Sequence, residues 1–290
     1  PQRRGFLCAA AASSVWARHA MSARRGKDLS EEDRVKKIIE AGCDQFGGES
    51  RPELVVGLVK SGKVSEARID QSIRRLLRQK FVLGLFDNPY VDVAAAAKLV
   101  GNAEFQAKGD AAQRRSMTLL KNKSGFLPYR KSMPKIYVKN VDAKVAARYG
   151  TVVEKPEQAD LAIIRLNTPW VPVQTENPFA KGFHHGDLDF KSPEKEEILQ
   201  LLKKVPTVVD IYLDRPAVIP EISKNARALL ANYGASDAAL LDVIFGKARP
   251  EGNLPFELPS SMEAVRNQKE DLPYDSKKPL YKFGFGLRYQ

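Results

Sequence analysis

The chain has 290 residues, enough for one large domain or two smaller ones. Hydrophobic residues make up 43% of it and charged residues 28%, which is typical of an ordinary globular protein, and no apolar run approaches the roughly 18 residues that a membrane span needs. The formal net charge is +12, yet basic and acidic residues alternate, as in Glu194–Glu197. This pattern indicates solvated helix faces, so we expect neither a membrane nor a nucleic-acid partner.

The sequence predicts neither a metal site nor a cofactor. The two cysteines, Cys8 and Cys43, and the three histidines show none of the spacings that metal sites use. The glycines of Gly284-Phe285-Gly286 neither follow a strand pattern nor open a helix, so they do not form a dinucleotide-binding loop.

Residues 1–28 differ from the rest of the chain. They are rich in Ala, Arg and Ser, and the composition shifts at Asp28, their single acid. The basic start and apolar stretch imitate a signal peptide. We interpret this segment as a frameshifted or vector-derived stretch, and we expect it to be disordered.

Three short amphipathic helices are predicted within residues 29–90. Ser30 is the expected N-cap of the first, over Glu31–Ala41; the second covers Pro52–Gly62, and Ser65 caps the third. The apolar residues that share one face of the third helix are Ile69, Ile73, Leu76, Leu77 and Phe81.

Two linker helices follow within residues 91–130, one rich in alanine and ending at Val100 and one over Ala103–Thr118. Residues 131–290 then alternate apolar strands with helices. The predicted strands are Ile136–Lys139, Leu161–Leu166, Thr207–Leu213 and Ala228–Asn232. The predicted helices are Pro193–Lys204, capped by Ser192, and Asp237–Phe245, capped by Ser236. This alternation predicts an α/β fold with a mostly parallel sheet flanked by helices.

Several motifs resemble glycoside hydrolase family 3. They are Ser61–Asp70, Ser72–Leu77 and Lys80–Phe86, then Ser116–Asn122 with Leu127-Pro128, Pro250–Phe256, and Tyr281–Tyr289. The resemblance implies that residues 29–90 are the last helices of a truncated (β/α)8 barrel, and that residues 131–290 form the α/β sandwich domain of the family.

The resemblance also implies a function, that of a retaining β-glycosidase hydrolysing terminal β-linked glucosides or oligosaccharides. Retention requires two carboxyl groups about 5 Å apart, a nucleophile and an acid/base. The family's nucleophile is an Asp of the barrel, to which no position here corresponds. One alternative is a non-catalytic domain that binds carbohydrate or pairs with a separately encoded barrel. Another is an inert fragment that self-associates through a surface that has lost its partner. Family resemblance favours a periplasmic or secreted location.

The long irregular loop after the strand ending at Leu166 holds the candidate substrate-binding residues. Trp170 and Phe179 are aromatic rings that could stack on a sugar, and open α/β sheets bind ligands at the carboxyl ends of their strands. His184 and His185 suit sugar hydrogen bonding or loop packing better than metal binding.

The acids of this loop are Glu176 and Asp187, and either could supply the catalytic proton. The family's usual Glu-Gly-aromatic-Asp-Arg sequence is missing, and Gly186-Asp187-Leu188-Asp189-Phe190 stands about where it should be. A surface or capping role is the alternative for each acid. Asp214-Arg215-Pro216, at a predicted strand end, is interpreted as a salt-bridged corner rather than a substrate contact.

Overall fold

The structure is a computed structural model that describes residues 29–47, 50–174, 181–269 and 272–289. The segment 1–28, predicted to be frameshifted or vector-derived, lies outside the described residues. The chain divides into two compact units. One comprises the described residues up to Leu99 with those of 171–185, and the other comprises 100–170 and the described residues from Gly186 onward.

The first unit begins with four helices. They are α1 (Glu31–Glu40), α2 (Pro52–Lys60), α3 (Glu66–Val82) and α4 (Val93–Leu99). The predicted caps of α1 and α3 are confirmed, because the Ser30 and Ser65 hydroxyls accept hydrogen bonds from the third residue beyond them, at 3.1 and 3.2 Å. Each cap satisfies a backbone donor that the first helical turn leaves without an intrahelical partner.

A small apolar core built on Ile39, Leu58 and Val64 joins α1, α2 and α3. Arg68 of α3 reinforces it by donating to the carbonyl oxygens of Ile39 at 2.7 Å and Cys43 at 3.2 Å.

Among the described residues, none of the helices combines the length and apolar character that crossing a membrane requires.

The second unit is an α/β sandwich. Its helices are α5 (Ala103–Ser116), α6 (Ala143–Ala146), α7 (Glu194–Lys204), α8 (Pro220–Asn225), α9 (Asp237–Ile244) and α10 (Met262–Arg266). Its strands are β1 (Thr118–Asn122), β2 (Lys135–Lys139), β3 (Thr151–Val152), β4 (Leu161–Asn167), β7 (Thr207–Tyr212) and β8 (Ala228–Asn232). In the first unit, β5 (Val171–Pro172) and β6 (His184–His185) pair antiparallel.

The six strands of the second unit form one sheet in the order β1-β8-β7-β4-β2-β3. All neighbours are parallel except β1, which runs antiparallel to β8. The predicted fold class, a mostly parallel sheet flanked by helices, is therefore confirmed.

Both faces of this sheet are buried, because successive side chains of a strand point to opposite sides. Val208 joins one apolar cluster with the buried side of α9, whereas Val209 joins the other with Ile198 of α7 and Ile222 of α8. The near-continuous apolar strands follow from this double burial.

Two local predictions are wrong. The helix expected to run to Thr118 ends at Ser116, because Thr118, Leu119 and Leu120 are buried as the edge strand β1. Ser192 does not cap α7, since its hydroxyl donates to the Glu196 carboxylate at 2.5 Å and the capping position is held by Pro193.

Gly252 supports a testable prediction about packing. A β-carbon there would lie 2.1 Å from the Ser116 carbonyl oxygen and 2.4 Å from the Thr118 hydroxyl, where backbone would have to move. We expect Gly252→Ala to lower the free energy of unfolding by about 2 kcal/mol or more, measured by urea denaturation.

The matched control is Gly109→Ala, within α5, where a β-carbon has open space around it. Alanine is the better helix former, so this change should raise the free energy of unfolding by about 0.5–1 kcal/mol. Equal effects of the two substitutions would contradict the steric argument.

Candidate active site

The candidate loop leaves the sheet where β4 ends, at Thr168. This residue is buried, and its hydroxyl lies 3.0 Å from the carbonyl oxygens of both Tyr212 and Arg215. Its backbone N–H also donates to Tyr212, at 3.2 Å. Trp170 follows two residues later with 42% of its surface exposed, so part of the indole ring is open to solvent.

Asp187 lies where the chain returns, and two cations surround it. Lys191 Nζ is 3.1 Å and Arg266 Nη2 is 3.4 Å from its carboxylate oxygens. The hydrogen bond from Lys191, reinforced by Arg266, holds the pKa of Asp187 below its ordinary value. A general acid working near neutral pH needs a raised pKa, so Asp187 in this arrangement is an anionic hydrogen-bond acceptor.

The two histidines form β6 and belong to the first unit. His185 Nε2 lies 2.9 Å from the Pro172 carbonyl oxygen, which can only accept, so this nitrogen carries the proton. Both side chains are half-buried. No group of three or more His, Cys, Asp or Glu side chains within the described ranges is arranged to hold a metal ion.

The candidate residues therefore fall into three sets. Trp170 and Asp187 belong to the second unit, and His184 and His185 belong to the first. Glu176 and Phe179 lie outside the described residues.

A cleft of about 280 Å³ opens beside the returning chain in the second unit. The ion pair between Lys195 of α7 and Glu221 of α8 contributes to its wall, and Asp189 in the same wall pairs with Lys191 at 2.8 Å. The other residues that line it are Phe190, Val218, Ile219, Pro220, Ile222, Ser260, Ser261 and Met262.

A buried polar network at the carboxyl side of the sheet was not predicted from the sequence. Arg165 of β4 donates to Asp210 of β7 at 2.8 Å and to Asp237 of α9 at 2.6 Å, and Asn232 of β8 donates to Asp210 at 2.8 Å. The signal was present, because a charge inside an apolar strand requires a partner. Burial outweighs these contacts and raises the pKa of Asp210 to about 6.

Arg215 was predicted to belong to a salt-bridged corner, and its bonds to backbone carbonyls were not predicted. Its guanidinium donates to the backbone carbonyls of Pro169, Gly186 and Asp187. These contacts place the side chain at both ends of the candidate loop.

The comparisons with known proteins lead to one class, the glycoside hydrolases. The chain is 51% identical over 266 residues to a probable β-glucosidase C of Aspergillus flavus, and 44% identical over 262 residues to a periplasmic β-glucosidase/β-xylosidase of Dickeya chrysanthemi. These alignments cover 91% and 89% of the chain but 42% and 40% of the relatives, so the chain spans less than half of their length.

A solved β-glucosidase from Erythrobacter marinus shares the fold with a TM-score of 0.63 at 20% identity, covering 94% of this chain and 46% of that one. Residues 144–289 match the sequence profile of the Glycosyl hydrolase family 3 C-terminal domain. The chain belongs to glycosyl hydrolase family 3.

The raised pKa of Asp210 makes a prediction about pH. Between about pH 4 and pH 6 the native state holds a proton that the unfolded state has lost, so this group's contribution to stability falls as pH rises through that window. Asparagine does not titrate, so the variant Asp210→Asn lacks this contribution at every pH. We therefore subtract the free energy of unfolding of the variant from that of the wild type. This difference should fall by about 2–3 kcal/mol from pH 4 to pH 7, measured by urea denaturation.

Asp242→Asn is the control with the opposite sign. Although burial acts to raise it, hydrogen bonds from Tyr149 at 2.7 Å and Arg114 at 2.6 Å lower the pKa of Asp242. Its stabilising effect is therefore present above its unfolded pKa and is lost as pH falls. A difference curve of the same sign for both variants would show that the assignment for Asp210 is wrong.

Proposed function

We propose that this chain is the C-terminal part of a retaining β-glycosidase that hydrolyses terminal β-linked glucosides. The observation that carries the proposal is the family match over residues 144–289, supported by 51% identity to a probable β-glucosidase. The periplasmic relative from Dickeya chrysanthemi supports a periplasmic or secreted location.

In this proposal the two catalytic carboxyl groups come from different parts of the protein. The nucleophile belongs to the barrel, in the portion of the relatives that this chain does not match, since the alignment covers 42% of the Aspergillus relative. The acid/base comes from the loop after β4, as Glu176 or Asp187. The retaining mechanism requires the two groups to lie about 5 Å apart once the barrel is present.

The surroundings of Asp187 define what it would have to do. The Asp187 carboxylate has the ionised form that a general base needs, because Lys191 and Arg266 stabilise its charge. To act as the acid it must first lose those contacts, which would let its pKa rise. Glu176 is therefore an equal candidate for the acid/base. For the sugar, we propose Trp170 and Phe179 as ring-stacking residues and His184 and His185 as hydrogen-bonding residues.

The acid/base prediction uses two glucosides with different leaving groups. Removing the proton donor should lower kcat/KM by about 10²–10⁴-fold for a p-nitrophenyl β-glucoside, because kcat/KM reports the step in which the leaving group departs. The loss of kcat/KM should be much smaller for the 2,4-dinitrophenyl analogue, since a leaving group of low pKa departs without protonation. Glu176→Gln and Asp187→Asn are compared by following release of the phenolate, each variant being combined with the part of the Aspergillus flavus relative that precedes the aligned region.

Glu157→Gln is the matched control, because Glu157 pairs with Lys204 at 3.0 Å much as Asp187 pairs with Lys191. It should turn over both substrates as the wild type does. If neither candidate variant shows the dependence on the leaving group, neither Glu176 nor Asp187 is the acid/base.

We further propose that α3 docks against the remainder of a (β/α)8 barrel. Ile73, Leu77 and Phe81 recur at four-residue spacing on this helix and are 44%, 38% and 65% exposed. Leu83 and Phe86, just beyond its end, are 70% and 57% exposed. A contiguous apolar surface of this kind favours association with a partner.

This proposal predicts how the chain associates. Alone it should self-associate, and adding the part of the Aspergillus flavus relative that precedes the aligned region should convert it to a one-to-one complex, seen by light scattering with sedimentation. Phe81→Glu should weaken both reactions by at least about tenfold, because it places a charge in the apolar surface. Lys80→Glu is the control: it introduces the same acidic residue at a neighbouring position that is not apolar, and it should weaken neither reaction to this extent. A chain that stays monomeric and ignores the added segment would exclude this docking surface.

A further inference from the structure

Arg215 connects the two ends of the candidate loop. Its Nη2 group donates to the carbonyl oxygen of Pro169, on the outgoing side, and its Nη1 group donates to that of Gly186, on the returning side, at 3.1 Å. A longer contact of 3.4 Å joins Nη2 to the carbonyl oxygen of Asp187. One planar group therefore bonds both places where the chain enters and leaves this loop.

The turn that carries Arg215 is itself fixed to the core. Leu213, Ala217 and Val218 are buried. The Arg215 carbonyl accepts from the Thr168 hydroxyl at 3.0 Å, and the Val218 N–H donates to Leu188 at 3.0 Å. Backbone and side chain thus hold the same two segments from one short turn after β7.

The charge of Arg215 strengthens these contacts. Arg215 is half-buried, so desolvation lowers its pKa, and its acceptors are neutral carbonyls, of which that of Pro169 belongs to a half-buried residue. Hydrogen bonds from a charged donor are stronger than those between neutral groups. The planar guanidinium of arginine is a fork whose N–H groups point in fixed directions. It can bridge two carbonyl oxygens that the single ammonium group of a lysine cannot bridge.

We propose that Arg215 is a positioning residue, whose guanidinium fork sets the separation of the two ends of the loop and thereby the placement of Trp170 and Asp187. Its effect on turnover rests on the proposed glycosidase function, whereas its effect on the loop ends does not. The role is distinct from sugar binding, because the bonds of the guanidinium described here are to backbone carbonyls.

Hydrogen exchange of the full chain tests the anchoring. In Arg215→Gln, peptides covering residues 168–171 and 186–189 should exchange about tenfold faster or more, and Arg215→Lys should not restore protection, because it keeps the charge but not the fork. Arg288→Gln is the matched control, since Arg288 also donates to three backbone carbonyls, those of Glu251, Gly252 and Leu287. Its loss should leave these peptides unchanged.

Equal exchange in Arg215→Gln and Arg288→Gln, or full protection in Arg215→Lys, would overturn the proposal. If Arg215→Gln fails to fold, the lysine variant alone decides it, with faster exchange at both ends as the supporting result. In the glucoside assay, with the barrel segment added, we expect kcat to fall about tenfold or more and by a larger factor than KM rises, since misplacing a catalytic group costs rate whereas misplacing Trp170 weakens ground-state binding.

An unchanged kcat in a variant with loosened ends would contradict the positioning role. Absence of turnover when the wild-type chain is combined with the preceding segment of the Aspergillus flavus relative would count against the proposed function, and the exchange experiment would still decide the role of Arg215.

Discussion

A parallel sheet covered on both faces accepts a charge only where the charge finds partners, and this constraint organises the second unit. Most strand positions are apolar, and the polar groups of the network gather in the carboxyl-terminal halves of β4, β7 and β8. There Arg165 serves two carboxylates, and Asp210 is shared between Arg165 and Asn232. The strands are tied to α9 at the edge from which the candidate loop departs.

The loop is held from the same edge. Thr168 follows β4 directly and Arg215 lies three residues after β7, and the parallel register that sets Asn167 beside Tyr212 brings them together. A rigid base with chemistry on the loop above it is a common way to combine precision with adaptability. It also accounts for the three hydrogen bonds from Arg215 to backbone carbonyls at the two ends of the loop.

Much of this fold could be read from local sequence. The strand Ala228–Asn232 was predicted with the bounds that it has, because an apolar run lies between clear breaks. The caps Ser30, Ser65 and Ser236 were predictable because a capping side chain reaches N–H groups a few residues away. Edge strand β1 was missed, since its identity depends on pairing with β8 rather than on its own neighbours.

The site was less predictable for the same reason. Asp187 owes its lowered pKa partly to Arg266, 79 residues later, and Arg215 bonds carbonyls 28 to 46 residues earlier. Composition marks such residues as candidates without showing which groups will meet them. The pairing of Arg165 with Asp210 was easier to predict, because both lie in apolar strands where an unpaired charge would be costly.

The position of β1 has a consequence for biosynthesis. This strand is made before every other strand of its sheet, yet it pairs with β8, and the contact of Thr118 with Tyr233 spans 115 residues. At roughly 5–20 residues per second, a ribosome takes on the order of ten seconds to produce that partner. Until then Leu119 and Leu120, fully buried in the finished domain, have no sheet to join. The nascent chain thus exposes an apolar segment with unpaired backbone groups. Such segments are shielded by chaperones and aggregate when they are not.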